Sequence, residues 1–62
     1  MPNLVRERRK ELGKSQGWLS DETGLTREFL SKVENDKVPK IGLESAKKIS
    51  KAMGRFVEEL FP

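Results

Sequence analysis

The chain has 62 residues, 34% of them hydrophobic, enough for one small domain with one core and too few for a second. It contains no cysteine and no histidine, which excludes disulfides, thiolate zinc sites and His-based catalysis. Thirteen basic against ten acidic residues give a net charge of +3, a balance compatible with a polyanion partner but also with solvated helix faces, so arrangement must decide.

Leu4, Val5 and Leu12 interrupt a run of Arg, Glu and Lys, which predicts a first helix from about Pro2 or Asn3 to Leu12, with Pro2 suited to its first turn and Gly13 ending it. Ser15 is a candidate N-cap for a second helix carrying Leu19 and Trp18, and Gly24 supplies the freedom to turn. Thr26 then caps a third helix with apolar residues at Phe29, Leu30 and Val33. Asn35-Asp36-Lys37-Val38-Pro39 reads as a loop. A fourth helix is expected from about Leu43 to Met53, ended by Gly54, and a short last one carries Phe56, Val57, Leu60 and Phe61.

Neither strand alternation nor a repeat is present, so the fold class is all-α, a compact five-helix bundle forming one domain over residues 1–62. Helices this short are held by packing, and the core expected to hold them is Val5, Leu12, Leu19, Leu25, Leu30, Val33, Leu43, Ala46, Ile49, Met53, Val57 and Leu60. With no apolar run approaching the length of a membrane span, the expected location is cytoplasmic, with no membrane partner. The acidic residues form no cluster with His or Cys and no phosphate-cradling glycine loop exists, so neither an enzyme nor a cofactor is expected.

Gln16 to Asn35, QGWLSDETGLTREFLSKVEN, has the spacing of two helices hinged at Thr23-Gly24-Leu25. Leu19 is followed by the small Ser20, where a crossing helix must approach closely; Gly24 and Leu25 follow five and six positions on, as turn glycine and corner plug. Leu30 and Val33 would pin the third helix from beneath, leaving Arg27, Glu28, Ser31 and Lys32 outward. Any helical bundle can contain a short glycine turn; the joint pattern is what favours a unit that lays its second helix in the DNA major groove.

The segments VRERRKELG, SQGWLSDETGLTREFLSKVEND and LESAKKISKAMG resemble the DNA-binding domain of the phage repressor and Cro helix-turn-helix family, also called xenobiotic-response-element-like regulators, over about Val5 to Phe61. The resemblance implies a lambda-repressor-like fold and a small transcriptional regulator that binds a palindromic operator in double-stranded DNA as a homodimer. It implies a recognition helix at about 27–34, with Arg27, Glu28, Ser31 and Lys32 at base edges. Ser15, Gln16, Asn35, Lys37 and Lys40 match positions near backbone phosphate, and free N–H groups at a helix start suit the anion beside Gln16. Glu28 also has a plainer reading as an i,i+4 partner of Lys32, and Ser15 as a cap alone. Arg9 and Glu34 match a structural ion pair between the first and third helices. Phe56, Val57, Leu60 and Phe61 offer more apolar surface than one short helix buries, which suggests a dimer contact.

The chain departs from the family's pattern at three positions: Lys14 replaces a common leucine, Asp36 a common glycine, and Arg55 an apolar residue that anchors the last helix. Asp36 is expected to adopt left-handed geometry, and anchoring to shift from Arg55 to Phe56 or Val57. Trp18, at a position that the family exposes, is read first as packing within the molecule, over Lys14 or against the third helix. The competing function is an antitoxin-like module that uses the same fold to bind a protein partner through Trp18 and the C-terminal aromatics.

Overall fold

A computed structural model describes residues 3–62, and the expected role of Pro2 lies outside them. The chain forms α1 (Val5–Glu11), α2 (Gln16–Thr23), α3 (Arg27–Glu34), α4 (Leu43–Met53) and α5 (Val57–Leu60), with no strand among the described residues. All five helices fall where the apolar spacing predicts them. The first begins later than expected, because Leu4 is its N-cap and the Asn3 Oδ1 accepts from the Val5 N–H at 3.1 Å.

Each helix of the central pair starts on a hydroxyl that satisfies an otherwise free backbone donor. Ser15 Oγ accepts from the Trp18 N–H at 3.0 Å, and Thr26 Oγ1 from the Phe29 N–H at 3.1 Å. Between them, Gly24 stands at φ +75°, a backbone region that a side chain disfavours, and its N–H reaches the Ser20 carbonyl at 2.8 Å. The α5 start uses a different device: Glu59 Oε1 reaches back to accept from the Phe56 N–H at 3.0 Å.

These helices close on one core of Val5, Leu19, Leu30, Val33, Ala46, Ile49, Met53 and Leu60, none more than 2% exposed. Here α4 is central, packing against α1, α2 and α5, while α2 and α1 both meet α3. Trp18, Leu25, Phe29, Val38, Ile41, Ala52 and Phe61 close the core's edges. Two residues expected inside are not: Leu12 is 36% and Leu43 64% exposed. Both sit at helix ends, Leu12 just past α1 and Leu43 opening α4, where periodicity points inward but no neighbouring element covers the side chain.

The C-terminal aromatic group also divides differently from the sequence expectation. Leu60 is 1% exposed and belongs to the core, so it has no surface to offer a second chain. Val57 and Phe61 are half-buried, whereas Phe56 is 75% exposed and anchors nothing. With Arg55 exposed as well, α5 is held by Leu60 and by the Leu4 N–H, which donates to the Leu60 carbonyl at 2.9 Å.

Candidate nucleic-acid interface

The geometry of the α2–α3 corner follows from side chains that bond across it. Ser20 Oγ donates to the Leu25 carbonyl at 2.5 Å, and the buried Thr23 hydroxyl donates to the Leu19 carbonyl at 2.7 Å while accepting from the Leu25 N–H at 3.2 Å. Thus the backbone polar groups freed by the turn are bonded within it, and the corner has a defined angle. Sequence reading assigned Ser20 only its small size and placed Thr23 in the hinge without a role for its hydroxyl. A threonine one residue before a turn glycine was the available signal, since its hydroxyl can serve both sides of the turn.

From this corner α3 presents two faces. Leu30 and Val33 are buried beneath it; Arg27, Glu28 and Lys32 are exposed, and Ser31 is half-buried at the edge. Among the described residues, no hydrogen bond or ion pair engages the Arg27, Glu28 or Lys32 side chains, so Glu28 and Lys32 do not form the i,i+4 pair. Arg27 instead lies back over α2. A Cβ built on Gly17 would overlap the Arg27 Nη2, with Cζ at 2.9 Å and Nε at 3.2 Å.

Around this helix the residues expected at phosphate have mixed surroundings. Ser15 and Gln16 lie at the α2 start, with the Ser15 hydroxyl committed as a cap. Lys37 and Lys40 are exposed in the loop after α3. Asn35 is exposed but partly occupied: its Oδ1 accepts from Arg6 Nη2 at 2.6 Å and its Nδ2 donates to the Ser31 carbonyl at 2.8 Å. Asp36 takes φ +56°, and its Oδ1 accepts from the Asn3 N–H at 3.1 Å and Nδ2 at 2.9 Å, bonds that offset the cost of that backbone. Asn3 Nδ2 also reaches the Val33 carbonyl at 2.6 Å, so the N-terminal segment clasps the end of α3.

Beneath the outer face, Arg9 and Glu34 join α1 to α3. Arg9 Nε donates to Glu34 Oε2 at 2.8 Å and Nη2 to Oε1 at 2.9 Å, a paired fork on a carboxylate whose side chain is 1% exposed. Arg6 Nε adds a longer contact at 3.5 Å. Burial pushes the Glu34 carboxyl upward, but the hydrogen bonds and charges of Arg9 and then Arg6 outweigh it and hold the group below the usual carboxylate range. The Glu34 hydrogen bond, helped by its charge against partial burial, raises Arg9 in turn. Arg9 Nη1 also donates to the Lys14 carbonyl at 3.0 Å, tying the α1–α2 link to the same group.

Arg8 has a scaffold role. Its Nε donates to the Met53 carbonyl at 3.2 Å at the end of α4, and Nη1 meets Glu11 at 3.3 Å. Trp18 is half-buried against the core, with Lys14 Nζ 5.5 Å from its ring centroid. Among the described residues no group of His, Cys, Asp and Glu is placed to hold a metal, and no helix is long and apolar enough to cross a membrane.

Comparison with known proteins agrees with this architecture. An uncharacterised HTH-type transcriptional regulator of Methanothermobacter thermautotrophicus is 37% identical over 62 residues, covering 98% of this chain and 88% of the relative. No solved structure matches the chain. The helix-turn-helix family profile matches residues 5–60, from the first residue of α1 to the last of α5, and the chain belongs to that family.

Proposed function

We propose that this protein is a DNA-binding transcriptional regulator that reads a specific sequence in double-stranded DNA with α3 in the major groove. The observation that carries the reading is the division of α3: two apolar anchors and a paired glutamate inward, and exposed Arg27, Glu28 and Lys32 outward with no partner among the described side chains. Groups committed to structure could not be spared for bases; these are uncommitted. Arg27 can donate two hydrogen bonds to guanine, Glu28 can accept from a cytosine amino group, and Lys32 and Ser31 can reach further edges.

Affinity comes from phosphates. Gln16 at the α2 start, with Ser15 beside it, and Asn35, Lys37 and Lys40 after α3 flank the reading helix and set its register on the duplex. Arg9 and Glu34 hold that helix to α1, so the contacts on both sides share one rigid frame.

One copy, 23 × 20 × 19 Å, is too small to reach two half-sites about 34 Å apart, so a two-fold operator requires a second copy. Exposed Phe56 is the proposed centre of the homodimer contact, with the uncovered edges of Val57 and Phe61 beside it. A contact this small is weak in solution and closes on DNA.

Selection of bound duplexes from a random pool at moderate salt tests the proposal. Enrichment of a two-fold symmetric site is expected. Flat, salt-sensitive binding with no enriched sequence refutes specific regulation. Tight capture of a protein partner that survives Arg27→Ala, with no DNA selection, would instead favour the antitoxin-like module.

A further inference from the structure

We infer that Gly17 is a specificity-determining positioning residue for Arg27: the side chain missing at 17 leaves the space over the first turn of α2 in which the Arg27 guanidinium lies. The inference rests on Arg27 being a base-reading residue and adds how that residue is aimed.

Gly17 is an expensive choice on local grounds. It sits in the second position of an eight-residue helix, where glycine weakens the helix relative to almost any other residue. Its φ is not in the left-handed region, unlike those of Gly13, Gly24 and Gly54, so the backbone does not require glycine there. What fills the space left at 17 is the neighbour. A Cβ at 17 would overlap Arg27 Nη2 and stand 2.9 Å from Cζ and 3.2 Å from Nε, three atoms of one guanidinium group. None of the chain's other four glycines has anything within 4 Å of such a Cβ, so the close approach is particular to this position.

The consequence is directional. Arg27 is the first residue of α3, and a long side chain at a helix start has many rotamers open to it. Resting against α2 selects among them and places the guanidinium at the junction of the two helices, on the side where α2 begins. From there it enters the groove beside the phosphate anchor. A methyl group at 17 closes this space. Because the atoms displaced are the far end of a flexible side chain, the fold tolerates the change, and the guanidinium moves outward to address a different edge or base pair.

The test is a double-mutant cycle with Gly17→Ala and Arg27→Ala, each variant profiled on the selected operator and its single-base variants. Arg27→Ala is expected to lose roughly ten- to hundredfold preference at the base pair that it reads. Gly17→Ala is expected to melt at the same or a higher temperature than the parent, alanine being the better helix former, while shifting preference at that same base pair by about fivefold or more. In the Arg27→Ala background the Gly17→Ala change should have no further effect. A purely structural role for Gly17 would leave base preference within about twofold, or would give the same change with and without Arg27, and either result overturns the inference. A second readout needs no DNA: the Arg27 Nε–H resonance of the free protein should shift and gain mobility in Gly17→Ala, and an unchanged resonance overturns the seat itself. If Arg27→Ala leaves base preference intact, the base-reading role fails, and the resonance still decides whether the seat exists.

Discussion

Replacing Arg9 by alanine leaves the Glu34 carboxylate, 1% exposed, with only the 3.5 Å contact from Arg6. Two short hydrogen bonds disappear and a charge stays in a poorly solvated site. Breaking a buried pair from one side costs about 3–5 kcal/mol, and the remaining Arg6 argues for about 3. At roughly 0.05–0.15 kcal/mol per residue, a chain of this length holds only about 3–9 kcal/mol in all. Arg9→Ala is therefore expected to remove about a third or more of the total stability and to lower the melting temperature by at least about 12 °C, on a scale of roughly 4–8 °C per kcal/mol. Thermal melts followed by circular dichroism measure the temperature and urea melts the free energy, with exposed Lys10→Ala as a control expected within about 0.5 kcal/mol of the parent.

The same pair fixes the sign of a pH effect. Glu34 is held below its unfolded carboxylate value of about 4.3, so its contribution to stability is present above that pH and is lost as pH falls through the lower folded value. Arg9 is raised from an already high value, so its own titration lies far above working pH. The gap between parent and Arg9→Ala should thus be full near neutrality and narrow below about pH 4.3. A loss under about 1 kcal/mol at pH 7, or a gap that stays constant into acid, would refute the assignment of the pair as a buried tie between α1 and α3.

Other perturbations separate the remaining roles. Arg27→Ala should change which sequences are selected, while Lys37→Ala or Lys40→Ala should weaken all duplexes alike and lower the salt slope of log K by about 0.9 each, as read by titration at several salt concentrations. Phe56→Glu should leave the melting temperature within about 3 °C of the parent but abolish cooperative occupation of a two-half-site operator in gel-shift assays; unchanged cooperativity would exclude Phe56 as the dimer contact. Leu60→Asp should unfold the chain outright, because it places a charge in the core, and a folded, monomeric Leu60→Asp would show that Leu60 faces a partner instead. Gly24→Ala should cost more than about 1 kcal/mol in the same urea melts, since its φ of +75° disfavours a side chain.

Legibility in the sequence followed the range of the forces involved. Helix placement rests on local caps and apolar spacing, so Ser15, Thr26 and the Leu43–Met53 segment could be read directly, and so could the inward set Leu19, Leu30 and Val33. Periodicity fails where coverage matters, since it assigns a face but not a neighbour: Leu12 and Leu43 have the inward phase and no element above them, while Leu60, expected both in the core and at a dimer contact, is core alone. Contacts between side chains far apart in sequence were the least legible. Asn3 on Asp36, Arg8 on the Met53 carbonyl and Arg6 on Asn35 span 28 or more positions and depend on how α1 lies against α3 and α4, which no local pattern encodes. Gly17 belongs to the same class. In sequence it is a helix-weakening residue that leaves room for a close approach, but what approaches is set only when α3 brings Arg27 across it.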